Sequence, residues 1–130
     1  MPVAKKTTGA PQPTEDPRAK ALEHLILLNS ALNNALDALE IARDNAATPA
    51  ERQSARNNLP AIVQAKALLK SKTDAFIKKS VGADIEPPSQ ETIDKTMDLA
   101  EALAKVDATT TQVKSLLTMT GKILELVNAL

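Results

Sequence analysis

The side chains able to do chemistry in this chain are carboxylates, lysines, arginines and one histidine. Glu91, Asp94, Asp98 and Glu101 recur at steps of three and four, which puts all four on one side of a helix. Asp37, Glu40 and Asp44 repeat in the same way. Aligned carboxylates can serve as general acid and base, or hold a hard cation. Lys95 is interleaved with the later group and Lys105 follows it, however, and mixed charge of that kind marks a solvated face. His24 is the single histidine, beside Leu25 and Ile26, and is read as an ordinary surface or boundary residue. No Glu-x-x-His or His-Glu-x-x-His pattern occurs, so a bundle-type dimetal site lacks its ligands. No Gly-rich phosphate loop and no Gly-x-Ser-x-Gly elbow is present. With no cysteine there is no disulfide, thiolate metal site or cysteine nucleophile. The sequence therefore reads as a non-enzyme, without cofactor or metal.

The basic residues are more suggestive. The net charge of zero hides segregation: residues 1–20 carry about +2, 21–47 about −3, 48–82 about +5 and 83–130 about −4. Arg52 and Arg56 stand one helical turn apart, as do Lys66 and Lys70, and Lys78 and Lys79 follow. Such a face suits an anionic ligand, either nucleic acid or a membrane surface. The only aromatic residue, Phe76, falls at a core position, so nothing on this stretch can stack a base. The preferred reading is a basic helix between two acidic ones, with charge pairs along the rims setting the register.

The elements that must carry these residues are helical. Leu22, Leu25, Asn29, Leu32, Leu36 and Leu39 follow a three–four spacing with one polar break, and Ala31, Ala35, Ala38 and Ala42 widen the apolar face. This predicts a first helix over 18–46. Thr48, Pro49 and Glu51 supply N-cap, first helical position and capping box, so a second helix starts at 49 after a tight turn and pairs antiparallel with the first. Leu59, Ile62, Leu69, Thr73 and Phe76 carry it to about 81, with Gly82 as its C-terminal cap. Pro60 predicts a kink near 57–60, or a short separate helix before it. Asn29 and Thr73 either fix register or sit at the edge of the core.

Pro87 and Pro88 enforce the next connection and Ser89 caps a third helix. Leu99, Leu103, Val106, Thr110, Val113, Leu117, Thr120, Leu124 and Val127 keep a four–three spacing without a slip, which predicts one helix over 90–129, with Gly121 inside it. The weak point is the threonine run at 109–111, because β-branched Thr is a poor helix former. A break at 107–111 is the alternative and gives four helices. The fold expected is thus all-α: an antiparallel up-down-up bundle of three long helices with coiled-coil-like packing, forming one domain over 18–130.

Residues 1–17 hold four prolines and a glycine among polar residues, without an apolar run, and read as a disordered tail. Export signals for needle-type secretion machines take a similar form; the plain tail in a cytoplasmic protein is the reading taken. A continuous third helix of about 40 residues would overshoot the first turn by roughly 12–15 Å. The overshoot, "KILELVNAL", is apolar but too short and too charged to span a membrane. We expect a protein interaction module, an adaptor, small chaperone or secretion-related component, acting through helix packing. Its partner surface would comprise Leu117, Ile123, Leu124, Leu126, Val127 and Leu130, meeting another protein or a second copy. The alternative is anionic-ligand binding through Arg52, Arg56, Lys66, Lys70, Lys78 and Lys79.

Overall fold

A computed structural model describes residues 17–79, 85–107 and 113–130. Residues 1–16 of the predicted tail, the Gly82 cap and the threonine run at 109–111 lie outside the described residues, while Pro17 opens the first helix. What is described is helical: α1 (Pro17–Asn45), α2 (Pro49–Ile77), α3 (Gln90–Ala104) and α4 (Val113–Asn128). The caps read from the sequence are in place. The Thr48 hydroxyl accepts from the Glu51 amide at 3.2 Å, with Pro49 in the first turn, and the Ser89 hydroxyl accepts from the Thr92 amide at 3.1 Å. The return leg of the capping box runs to the hydroxyl, which donates to Glu51 Oε1 at 3.3 Å.

The long third helix does not form, and the four-helix alternative is the one found. α3 stops at Ala104, where the Lys105 and Val106 amides fold back onto the carbonyls of Ala102 and Leu103. Packing explains the break. A continuous helix would strand the apolar end of the chain in water. Turning back buries Val113, Leu116, Ile123 and Val127 instead. Four such side chains contribute about 6 kcal/mol or more, which outweighs the few helical hydrogen bonds lost. The architecture is therefore up-down-up-down. α3 runs along α1, where Asn34 Nδ2 donates to the Ala100 carbonyl at 2.9 Å. α4 descends beside α2 until Lys72 Nζ donates to the backbone oxygen of Leu130 at 3.2 Å.

α1 is the hub and packs against each of the other three helices, whereas α2 and α3 occupy diagonal positions and do not touch. The buried face of α1 comprises Ala21, His24, Leu25, Leu28, Ala31, Leu32, Ala35, Ala38, Leu39 and Ala42. Alanine at half of these positions lets neighbouring backbones approach closely, and leucine fills the spaces between. Asn29 is exposed, one side removed from the seam assigned to it. Thr73 is half-buried and donates to the Leu69 carbonyl of its own turn at 2.7 Å. Neither pairs with another helix, so both are tolerated at the edge of the core and do not fix its register.

Three further differences are local. α2 runs uninterrupted through the exposed Pro60, so the separate short helix is not formed. α2 also ends earlier than 81. Lys78 is its C-cap, and Lys79 takes a left-handed backbone at φ 56°, the conformation usually given to glycine at a helix end. The first turn of α1 braces this end: Arg18 Nη2 donates to the Phe76 carbonyl at 2.9 Å, and its guanidinium lies 4.3 Å above the Phe76 ring. Finally, His24 is buried, not a surface residue, at 4% exposure. It lies with Leu28 and Ala31 on the side of α1 turned towards the inside of the bundle. Its Nδ1 finds no hydrogen-bond partner among the described residues. Burial lowers its pKa below the ordinary 6.5.

Three outcomes follow from these positions. Lys79→Gly removes the cost of a side chain in the left-handed region and should stabilise by about 1 kcal/mol. Gly121 sits inside α4, and a Cβ there would meet no atom within 4 Å. Gly121→Ala should therefore stabilise by about 0.5–1 kcal/mol. Chemical denaturation checks both, the expected sign being a higher midpoint at an unchanged slope. For His24, the unfolded chain takes up a proton below pH 6.5 while the buried ring resists it. Its contribution is complete above pH 6.5 and is lost as pH falls towards the lower folded-state value. Thermal melts from pH 7.5 downwards should show this decline, and His24→Leu should flatten it.

A basic and apolar stripe on the outer face of the first hairpin

The fold sorts the side chains named from the sequence into three groups. The first is the proposed C-terminal surface. Ile123 and Val127 are fully buried in the shared core, while Leu117, Leu124, Leu126 and Leu130 are half-buried against it. Leu124 lines a cleft with Ala61, Ala65 and Leu68 of α2, and Leu126 lines one with Lys95 and Leu99 of α3. The overshoot that would have presented these six residues together is absent because α4 turns back.

The second group is the carboxylates. Glu91, Asp94, Asp98 and Glu101 are all exposed along the outward side of α3. Lys95 pairs with Glu91 at 3.2 Å, and Gln90 donates to Asp94 at 3.0 Å. No three His, Asp or Glu side chains converge to hold a metal ion among the described residues. These carboxylates form a line along α3, and Asp98 alone of the four borders the cleft that Lys122 and Glu125 of α4 also line.

The third group is the basic residues of α2. Helical periodicity places Arg52, Arg56, Lys66 and Lys70 within one quarter of the helix circumference, so they form a single line along its outer side. Lys78 and Lys79 follow the end of the helix and leave that line. Lys72 points the other way, to Leu130. Lys70 pairs with Asp74 of its own helix at 3.0 Å. Arg52, Arg56 and Lys66 reach no acidic partner among the described residues. The cross-helix rim pairs expected from the charge segregation are therefore not made. An exposed i,i+4 pair such as Lys70–Asp74 contributes only about 0.3–0.5 kcal/mol, against about 1.5–3 kcal/mol for one buried leucine. Packing, and not rim pairing, sets the register.

What the sequence reading missed is that this basic line is also apolar. Val63 and Ile77 stand seven residues on either side of Lys70, on the same line, and each is 55% exposed. Ile26 of α1, 60% exposed, faces the line across the hairpin groove. The groove has a volume of about 510 Å³ and is lined by Ile26, Asn29, Lys66, Ala67, Lys70 and Asp74, among others. Of the five large apolar side chains exposed among the described residues, three thus border one basic stripe. The signal was available as the spacing 63, 70, 77, and was obscured because the two apolar residues are isolated between charges.

This arrangement can hold something by its side chains but offers no reacting constellation. The stripe has no histidine, no partnered nucleophile and no convergent acid and base. Phe76, the one aromatic side chain, is buried under Arg18 and cannot stack on a ligand. No helix among the described residues is long and apolar enough to cross a membrane. Compared with known protein families, characterised proteins and solved structures, the chain shows no significant match.

Proposed function

We propose that this protein is a non-enzymatic interaction module that works through helix packing, and that its working surface is the outer face of the α1–α2 hairpin. The ligand class that fits is an acidic amphipathic helix. Its apolar residues would cover Ile26, Val63 and Ile77, and its carboxylates would meet Arg52, Arg56, Lys66 and Lys70. The observation that carries this reading is the interleaving. Bases without acidic partners alternate with exposed aliphatic side chains on one line, and a groove runs beside it. Helix-in-groove recognition uses anchors at that repeat, with charge steering the approach.

A second reading draws on the same four bases, a polyanion such as nucleic acid or an anionic membrane surface. The basic line favours it. Exposed Ile26, Val63 and Ile77 argue for a partner with an apolar side, and the stripe has no aromatic platform for bases.

The two readings separate in one titration series. Amide shift mapping should be run with a synthetic helical peptide whose glutamates flank a leucine seam, with duplex DNA, and with anionic phospholipid vesicles. The peptide should perturb residues around Ile26, Val63, Lys66, Lys70 and Ile77, and Lys66→Glu with Lys70→Glu should weaken it about tenfold or more. Binding of DNA or vesicles at moderate salt, with no response to the peptide, would establish the polyanion reading instead.

A further inference from the structure

The chain itself carries a surface of the kind that the hairpin stripe would take. On α3, Asp94 and Glu101 lie on one line with Met97 between them, and Glu91 and Asp98 run alongside. Met97 is 41% exposed, although large apolar side chains are otherwise withdrawn from this face. The two stripes mirror each other. The α2 stripe has four bases and one acid, the acid held by its own i,i+4 partner, Lys70. The α3 stripe has four acids and one base, the base held by its own i,i+4 partner, Glu91. Each has an apolar centre flanked by its dominant charge: Val63 midway between Arg56 and Lys70, and Met97 between Asp94 and Glu101. The α3 helix, about 22 Å long, fits within the roughly 27 Å from Arg52 to Lys70.

The two stripes cannot meet within one molecule. α2 and α3 sit at diagonal corners of the bundle without contact, and each stripe faces outward from its corner. From this geometry we infer that the partner is a second copy of the chain: the acidic face of α3 from one molecule docks along the basic α2 line of the next, centred on Val63, Lys66 and Lys70, with the exposed Asp37, Glu40 and Asp44 of α1 flanking the far end. The inference rests on the reading of the hairpin stripe given above. Donor and acceptor surfaces differ and lie on opposite corners. The contact is therefore heterologous, and repeats head to tail into rings or open chains; it does not close as a two-fold dimer. It is held largely by exposed charges, so it is strong at low salt and weak at high salt.

Sedimentation equilibrium over a wide concentration range tests this. At about 0.01 M salt, where the screening length is ~30 Å, the mass should rise with concentration past that of a dimer. At about 1 M salt, with a screening length of ~3 Å, it should return to the monomer. Two variants then separate the faces. Lys66→Glu with Lys70→Glu spoils the groove and keeps the α3 stripe. Asp94→Asn with Glu101→Gln does the reverse, without making a base that the Glu-bearing groove could attract. Each alone should self-associate at least about tenfold more weakly, while an equimolar mixture should form one-to-one pairs and nothing larger. Circular dichroism on each variant verifies that these surface changes leave the fold intact. A wild type that stays monomeric at low salt overturns the inference, as does a wild type that stops at a dimer, or a mixture that fails to pair. If the wild type is monomeric but the acidic peptide still maps to the hairpin groove, self-docking falls and the helix-binding reading stands. If the peptide also fails, both fall.

Discussion

Everything in this bundle depends on how closely other helices can approach α1. Its buried face is half alanine, and Ala21, Ala35 and Ala42 fall on a seven-residue repeat with Leu28. Small side chains at those points let α2, α3 and the diagonally placed α4 all reach the same helix. In a core with a single aromatic side chain there is no large residue to bridge a gap. The helices must come together, or the apolar area goes unburied. Close approach is therefore a requirement of this composition, and it is α1 that permits it.

That requirement explains why the last helix turns inward. α3 packs on α1 and does not touch α2, which leaves an apolar trough along the α2 side of the hairpin. The only remaining apolar stretch is the end of the chain. Its buried positions, Val113, Leu116, Thr120, Ile123 and Val127, follow a three–four spacing that fills the trough from above. The Thr120 hydroxyl is satisfied by donating to the Leu117 carbonyl at 3.0 Å, so even the polar member of that face needs nothing from another helix. A surface that looked available as a linear pattern is thus consumed by the chain's own core.

The sequence made the helices, their caps and the hairpin legible, because Thr48, Pro49, Ser89 and the seam of Leu59, Ile62, Leu69 and Phe76 act locally. The turn after Ala104 was legible only as the weak point at 107–111 that offers four helices, and not in the apolar spacing, for a definite reason. Val106 and Val113 are seven residues apart, so the apolar spacing carries on in phase across the interruption. A repeat that survives a turn cannot reveal it, and threonine weakens a helix without forbidding one. The depth of His24 was missed for a related cause. Alanine weighs little in any hydrophobic pattern, so the face containing Ala31, Ala35 and Ala38 looked like a margin when it is the centre of the core. The candidate site was half legible. The bases of α2 stood out, whereas Val63 and Ile77 mattered only once both were seen to face outward.

Opposite charges on this chain stay apart for a reason of packing. A basic helix and an acidic helix in the same bundle would ordinarily be placed side by side, since adjacency lowers the electrostatic energy of both. Here α3 packs on α1 and not on α2, with the Asn34 amide bonded to its Ala100 carbonyl. Burying Ile93, Ala100 and Leu103 there is worth several kcal/mol, and a few exposed ion pairs with α2 could return about one. Hydrophobic packing therefore overrides charge pairing inside the molecule. It leaves the acidic and basic lines unneutralised on opposite corners, each with an aliphatic or thioether side chain at its centre. Their complementarity has no outlet within the chain, and is expressed only towards whatever approaches from outside.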